Sequence, residues 1–285
     1  MMKFGANTWI WHSPLNDGLL REIIPHVARL GFDWIELPIE SPHDFDYALA
    51  RDLTQAHGLG VSLSAPTGPG RDLISPDPVE RQNCVEYLRH CIRAAETIGA
   101  PNIIGPIYSA VGRTWQATAD ERARTMDLLM TNLRPLAEYA GDHGVTLCIE
   151  PLNRFETSFI NLTTQGIELV DRVDHPACGL LLDTFHMNIE ERDLGDAIRA
   201  AGPRVKHIHA CENDRGAPGA GHIPWDDVAA GLRDIQYDGP VVIESFSVEV
   251  QVIARAAAIW RPLAPSQDQL ASDGLRFLQR LLKGE

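Results

Sequence analysis

Short apolar runs alternate along this chain with longer stretches in which apolar residues recur at helical spacing. The short runs fall at residues 4–11, 33–39, 61–65, 102–107 and 145–149, then at 179–183, 205–209 and 241–244. Between them, helices are predicted over 17–30, 45–57, 79–98, 120–143, 163–173, 194–201 and 225–235, with two more over 250–259 and 267–282 closing the chain. Gly31, Gly58 and Gly99 follow the first three helices in the C-terminal capping position. Strands that read as continuous apolar runs are buried on both faces, and their alternation with helices predicts a parallel sheet. Eight strand–helix steps at even spacing, undivided by a linker or low-complexity tract, predict an α/β fold. The expected form is one (β/α)8 TIM barrel over residues 1–285, rather than an open doubly wound sheet. The length suits it, since such barrels need about 250 residues.

In a barrel of this kind the carboxyl ends of the strands line the active site. Four consecutive runs here close on a polar residue: Glu150, Asp183, His209 and Glu244. Burying three carboxylates together without a cation is costly through mutual repulsion. One divalent metal is therefore expected among them. Three hard oxygen ligands and an imidazole suit manganese, magnesium or cobalt better than a thiolate-seeking metal. His207 and Cys211 share the face of His209 by alternation; His207 is expected as a hydrogen-bonded core histidine and Cys211 merely near the rim. Glu36, at the end of the second run, is expected in a structural ion pair.

The third and fourth strands end without histidine or carboxylate, which argues against a multinuclear site around the whole rim. The Pro- and Gly-rich loop 66–78 is placed to cover a pocket. Tyr108 and Trp115, in loop 108–118, either face a ligand or are incidental surface aromatics. The glycine-rich stretch 216–221 lacks Gly-x-Gly-x-x-Gly spacing, so no dinucleotide site is expected there.

The net charge of −14 disfavours nucleic acid and anionic membranes as partners. Five scattered cysteines without a Cys-x-x-Cys pair point to a reducing compartment. The N-terminal residues do not read as a signal peptide and no apolar run reaches membrane-spanning length, so a cytoplasmic location is expected.

The segments 148–156 (CIEPLNRFE) and 182–190 (LDTFHMNIE), with Arg215, 218–221 (PGAG) and Trp225, resemble the ketose 3-epimerase family. These are the D-tagatose, D-psicose (allulose) and L-ribulose 3-epimerases among the xylose-isomerase-like TIM barrels. The likeness is strong over 145–246, while the first half of the chain matches mainly in layout. It implies a metal-dependent isomerase inverting C3 of a free 2-ketose of the D-allulose/D-fructose, D-tagatose or L-ribulose type, through a metal-stabilised cis-enediolate. It also implies one divalent ion, usually manganese, with cobalt or magnesium as alternatives, on Glu150, Asp183, His209 and Glu244. Glu150 and Glu244 would be the catalytic acid and base, and Glu156, His186 and Arg215 would hold the sugar's first three carbons. A homodimer or homotetramer is implied too. Ser245 stands where many relatives have proline, and Ala210 and Cys211 replace a commoner pair of small residues. These departures remove no functional group but leave the preferred ketose open.

The chemistry suits the residues. Hydrogen on C3 becomes removable once the C2 carbonyl is polarised, and a second glutamate on the opposite face returns a proton. Strands five and eight lie about 135° apart around an eight-strand ring, so their glutamates flank a substrate. A related sugar isomerase, or an enzyme acting on 3-keto sugars or glycosides, would need the same metal and base; an assay of free ketoses against aldoses and 3-keto glycosides separates these. A phosphate-ester hydrolase of the DNA-repair type fits the acidic surface poorly. A non-catalytic sugar-binding barrel would not need two opposed glutamates.

Overall fold

The computed structural model describes residues 2–248, 250, 254–255 and 257–283. Eight parallel strands in chain order form a closed barrel: β1 (Lys3–Asn7), β2 (Trp34–Pro38), β3 (Gly60–Ser64), β4 (Asn102–Gly105), β5 (Thr146–Ile149), β6 (Cys178–Asp183), β7 (Val205–His209) and β8 (Pro240–Ile243). Pairing of β1 with β8, from Lys3 opposite Pro240 to Ala6 opposite Ile243, closes the ring. The helices are α1 (Asp17–Arg29), α2 (Tyr47–Ala56), α3 (Pro78–Ile98), α4 (Ala119–Asp142), α5 (Thr163–Val173), α6 (Thr184–Glu190), α7 (Leu194–Ala201), α8 (Trp225–Asp234) and α9 (Gln267–Lys283). No helix among the described residues is long and apolar enough to cross a membrane.

Strand alternation divides the residues into two sets. Ile35, Leu37, Val61, Leu63, Leu147, Ile149, Leu180, Leu182, Ile208, Val241 and Ile243 join the apolar faces of the helices in one continuous core. Their neighbours turn inward. Ile104, Cys148 and Leu181 form a small apolar cluster of their own, while Asn7, Glu36, Ser62, Ser64 and His209 are joined by hydrogen bonds. Continuing that inward register by two residues from Cys148, Leu181, His207 and Val242 reaches Glu150, Asp183, His209 and Glu244. The barrel geometry therefore delivers these four side chains to the same end.

Three boundaries differ from expectation. The first strand stops at Asn7 rather than at residue 11, because the Asn7 side chain accepts the Trp9 N–H at 2.8 Å and starts a 3-10 turn over Thr8–Ile10. The fourth stops at Gly105, whose φ of 127° is open to glycine and leads into Pro106. Helix α6 was absent from the expected elements. It is short, and its N-cap is Asp183, which accepts the Phe185 N–H at 2.7 Å and at sequence level reads only as a strand end. Of the helix expected over 250–259, residues 251–253 and 256 lie outside the described residues.

Candidate active site

Asp183 and His209 are the last residues of β6 and β7; Glu150 and Glu244 follow β5 and β8 directly. All four are buried. Glu150 and Glu244 line a cavity of about 620 Å³, while Asp183 and His209 lie outside its lining. Glu150, Asp183 and His209 bring ligand atoms to within 4.8 Å of one another, and Asp183 and Glu244 do the same with Cys211. The structure thus brings together all four strand-end residues, and adds a cysteine expected only near the rim.

The orientation of His209 is set from below. Its Nε2 lies 2.9 Å from Glu36 Oε1, and Glu36 also accepts from Asn7 Nδ2 (2.7 Å), Ser62 Oγ (2.9 Å) and Ser64 Oγ (3.0 Å). Burial would raise the Glu36 carboxyl, but the adjacent His209 and His207 overrule it and hold it well below the usual carboxylate range. Glu36 is therefore an anion inside the barrel, in the ion pair expected of it. His207, the expected core histidine, sits 2.9 Å from its other oxygen.

An anion at Nε2 leaves Nδ1 of His209 pointing into the site. Nδ1 is buried and has no hydrogen-bond partner among the described residues. It lies 3.6 Å from Glu244 Oε2, 3.8 Å from Asp183 Oδ2 and 4.0 Å from Glu150 Oε1. These separations are too long for hydrogen bonds, yet they suit ligands spaced around one ion at about 2.1 Å from each. The donor set fits a divalent cation. A carboxylate-oriented imidazole is the usual support for such a ligand.

Arg215 reaches the same carboxylates from the loop after β7. Its Nη1 donates to Asp183 Oδ2 (2.6 Å) and Glu244 Oε2 (2.9 Å), and the guanidinium stacks 4.0 Å from the Phe185 ring centroid. Arg215 takes a left-handed φ of 67°, uncommon for a residue with a side chain, and its carbonyl accepts from Ser245 Oγ at 2.6 Å. Burial opposes ionisation of Asp183, but Arg215, His209 and His186 hold its carboxyl below the ordinary range. Glu150 moves the other way, pushed well up by burial and by the neighbouring Glu244 and Asp183 charges against the pull of His209.

His186 stands on α6, one turn after Asp183. The backbone N–H of Asn153 can only donate, and it lies 3.1 Å from Nδ1. Nδ1 therefore faces a donor, and Nε2, on the Glu150 and Asp183 side, faces another, the Arg215 Nη2 at 3.1 Å. Burial, with the Arg215 charge, pushes the imidazole down to about 3. A histidine neutral in the fold but ionisable near 6.5 when unfolded adds no pH dependence above 6.5. As pH falls from 6.5 toward 3 the unfolded state takes up the proton first, and stability is lost. Between pH 6.5 and 5 the chelator-treated protein is expected to lose about 2 kcal/mol more stability than His186→Asn. Urea unfolding at the two pH values checks this, and equal losses in the two proteins would refute the neutral assignment.

Glu156 also lines the cavity, with Oε1 accepting from Asn153 Nδ2 at 2.9 Å. Burial raises its carboxyl against the pull of Arg215 and Asn153. Tyr108 and Trp115 do not face the cavity. Tyr108 is buried with its hydroxyl on Ile160 O (3.0 Å), and Trp115 stacks on Phe159; their loop instead supplies Val111 and Gly112 to the wall. Loop 66–78 does line the cavity, through Pro66, Thr67, Gly68, Pro69 and Arg71. Thr67 Oγ1 ties it to the next loop at Pro106 O and Ser109 O, both 2.7 Å.

Sequence reasoning missed Asn153, Glu40 and Glu212. Glu40 lines the far wall and accepts from Trp9 Nε1 at 3.0 Å. Glu212 accepts from Gly219 N (2.9 Å), Ile223 N (3.0 Å) and Trp225 Nε1 (2.9 Å), and so shapes the loop that carries Arg215. The Trp225 indole gave a signal, since a buried tryptophan needs an acceptor, but it did not say which one.

Residues 24–281 match the family model described as xylose isomerase-like TIM barrel, and the chain belongs to that family. Within it the chain is a ketose 3-epimerase family member, an isomerase of the carbohydrate epimerase class. An L-ribulose 3-epimerase from Methylomonas sp. (strain DH-1) is 32% identical over 282 residues, covering 98% of this chain and 97% of the other. A D-psicose 3-epimerase from Ruminiclostridium cellulolyticum is 35% identical over 254 residues, 88% of this chain and 86% of its own. The crystal structure of D-allulose 3-epimerase from Methylomonas sp. in complex with D-allulose superposes with a TM-score of 0.91 at 32% identity, covering 98% and 96% of the two chains.

Proposed function

We propose that this protein inverts C3 of a free 2-ketose, of the D-allulose/D-fructose, D-tagatose or L-ribulose type, with Glu150 and Glu244 as opposed acid and base. The observation that carries the metal part of this reading is the buried, unpartnered Nδ1 of His209 aimed at three carboxylates. Glu150, Asp183, His209 and Glu244 would hold one divalent ion, manganese by the hardness of the donors, with cobalt or magnesium as substitutes. When bound, such an ion polarises the C2 carbonyl and stabilises negative charge on its oxygen.

The residues of the chain do the rest. One glutamate removes the C3 proton from one face, and the other delivers a proton to the opposite face of the planar enediolate. Which acts first depends on the epimer bound. His186 and the Arg215 guanidinium, whose Nη2 lies 3.1 Å from His186 Nε2, stand together to bind a sugar oxygen. Glu156 offers an acceptor for a hydroxyl. Phe185 and Phe246 wall the cavity and exclude water from the reacting carbon.

The reading is tested by incubating the metal-loaded protein with a panel of 2-ketoses, aldoses and 3-keto glycosides in D2O and locating the exchanged carbon. Deuterium at C3 of a ketose supports it; exchange only at C1 or C2, or only in a 3-keto glycoside, replaces it with one of the related reactions. His186→Ala and Arg215→Ala are each expected to lower kcat/KM by about 10²-fold with metal content retained. Loss of metal with unchanged sugar handling would show that these residues serve the ion instead.

A further inference from the structure

We propose that Glu40 is a specificity-determining residue of this centre: its carboxylate receives the terminal hydroxyl of a six-carbon 2-ketose. The proposal rests on the reading above and adds which end of which sugar the far wall recognises. Its position follows from the ring. Glu156 lies after β5, His186 after β6 and Arg215 after β7, so the side proposed to hold the first three carbons centres on β6. In the closed ring of eight, β2 stands four strands away, directly opposite. Glu40 comes two residues after β2 and four after Glu36, on the same inward face by alternation. It lines the cavity of about 620 Å³ that Glu150, His186 and Arg215 share. A ketose fixed by its first three carbons near β6, with C3 between Glu150 and Glu244, therefore directs its tail toward Glu40.

The Glu40 carboxylate is preorganised for such a contact. Arg71 Nη1 and Nη2 both donate to the Glu40 carbonyl at 3.0 Å, and this guanidinium stacks 4.1 Å from the Tyr87 ring centroid. Tyr87 in turn donates its hydroxyl to Ile39 O at 2.5 Å. Both donors to the side chain, Trp9 Nε1 at 3.0 Å and Ser13 Oγ, go to Oε1. Among the described residues Oε2 accepts no hydrogen bond and the carboxylate has no ion-pair partner. A carboxylate accepts at both oxygens, so the second is open to a hydroxyl donor. Ser64 and Thr67, on the same side of the wall, commit their hydroxyls to Glu36 and to the carbonyls of Pro106 and Ser109. Trp9, with its indole N–H on Glu40, offers a sugar only its ring, packed 5.9 Å from that of Phe246.

The test compares a ketohexose with its 6-deoxy counterpart, which lacks only the hydroxyl assigned to Glu40, on the metal-loaded full chain. The unmodified protein should favour the complete sugar by about 10- to 100-fold in kcat/KM, the range for a hydrogen bond to a charged group. Glu40→Ala should lose that factor on the ketohexose, chiefly through KM, and alter kcat/KM for the 6-deoxy sugar by less than about twofold. Glu40→Gln, which keeps the shape and a neutral acceptor, should fall between. An equal drop on both sugars would mean that Glu40 only holds Trp9 and the wall in place, and overturns the contact. If neither variant folds, the unmodified protein decides alone: equal use of the two sugars, or C3 exchange confined to five-carbon ketoses, overturns the proposal. These outcomes leave C3 epimerisation standing, whereas no C3 exchange in any ketose overturns that reading and this one together.

Discussion

Glu150→Gln and Glu244→Gln are each expected to lower C3 epimerisation by at least about 10³-fold, the upper range for a lost general base or acid combined with a weakened metal ligand. Glutamine keeps the shape and one neutral oxygen but accepts no proton at C3. The two variants should still differ. With a given epimer, the variant that retains its abstracting glutamate exchanges C3 hydrogen with D2O without inverting the centre, while the other does neither. The roles should swap when the opposite epimer is supplied. Both carboxylates lie about 4 Å or less from His209 Nδ1, so metal content must be measured in parallel. Near wild-type epimerisation by both metal-loaded variants would eliminate the two-base mechanism.

Removal of the ion is expected to abolish turnover and to lower the melting temperature by about 5–10 °C. An ion held at about a hundred times its Kd contributes about 2.7 kcal/mol to the folded state, and a chain of this size loses a few degrees for each kcal/mol. Manganese or cobalt should restore both properties; full activity in chelator would sink the metal reading. Glu36→Gln gives a finer version of the same experiment. It leaves the four proposed ligands untouched and alters only the group 2.9 Å from His209 Nε2. Metal affinity should drop about 10- to 100-fold, read by competition with a chromophoric chelator. An unchanged affinity would mean that Glu36 serves only the packing of the barrel interior.

The residues proposed to hold the ion are legible in the sequence because their signal is local. An apolar run long enough for one buried strand and closed by Glu150, Asp183, His209 or Glu244 needs no knowledge of the rest of the chain. The repetition of that figure in consecutive strand–helix steps also predicts the barrel, which the ring β1 to β8 shows. The boundary errors are local too. Asn7 and Asp183 carry side chains that bond the backbone two residues ahead, and an apolar run does not reveal that competition.

The pairing of Glu36 with His209 spans 173 residues and exists only because ring closure brings β2 and β7 polar groups into one interior. Sequence marks Glu36 for an ion pair but does not name its partner, and the partner is what turns Nδ1 toward the carboxylates. The same holds for His186, whose Nδ1 meets an Asn153 N–H contributed by a different loop, and for Tyr108 and Trp115, which packing on Phe159 draws away from the cavity. Cys211 shows the division most plainly: alternation alone places it on the face of His209, but its distance from Asp183 depends on how β6 and β7 are staggered. The sequence determined which side chains reach the mouth of the barrel, because strand period and burial are properties of neighbouring residues. Only the tertiary structure decided which atoms of those side chains meet, because hydrogen bonds between distant strands set their rotation.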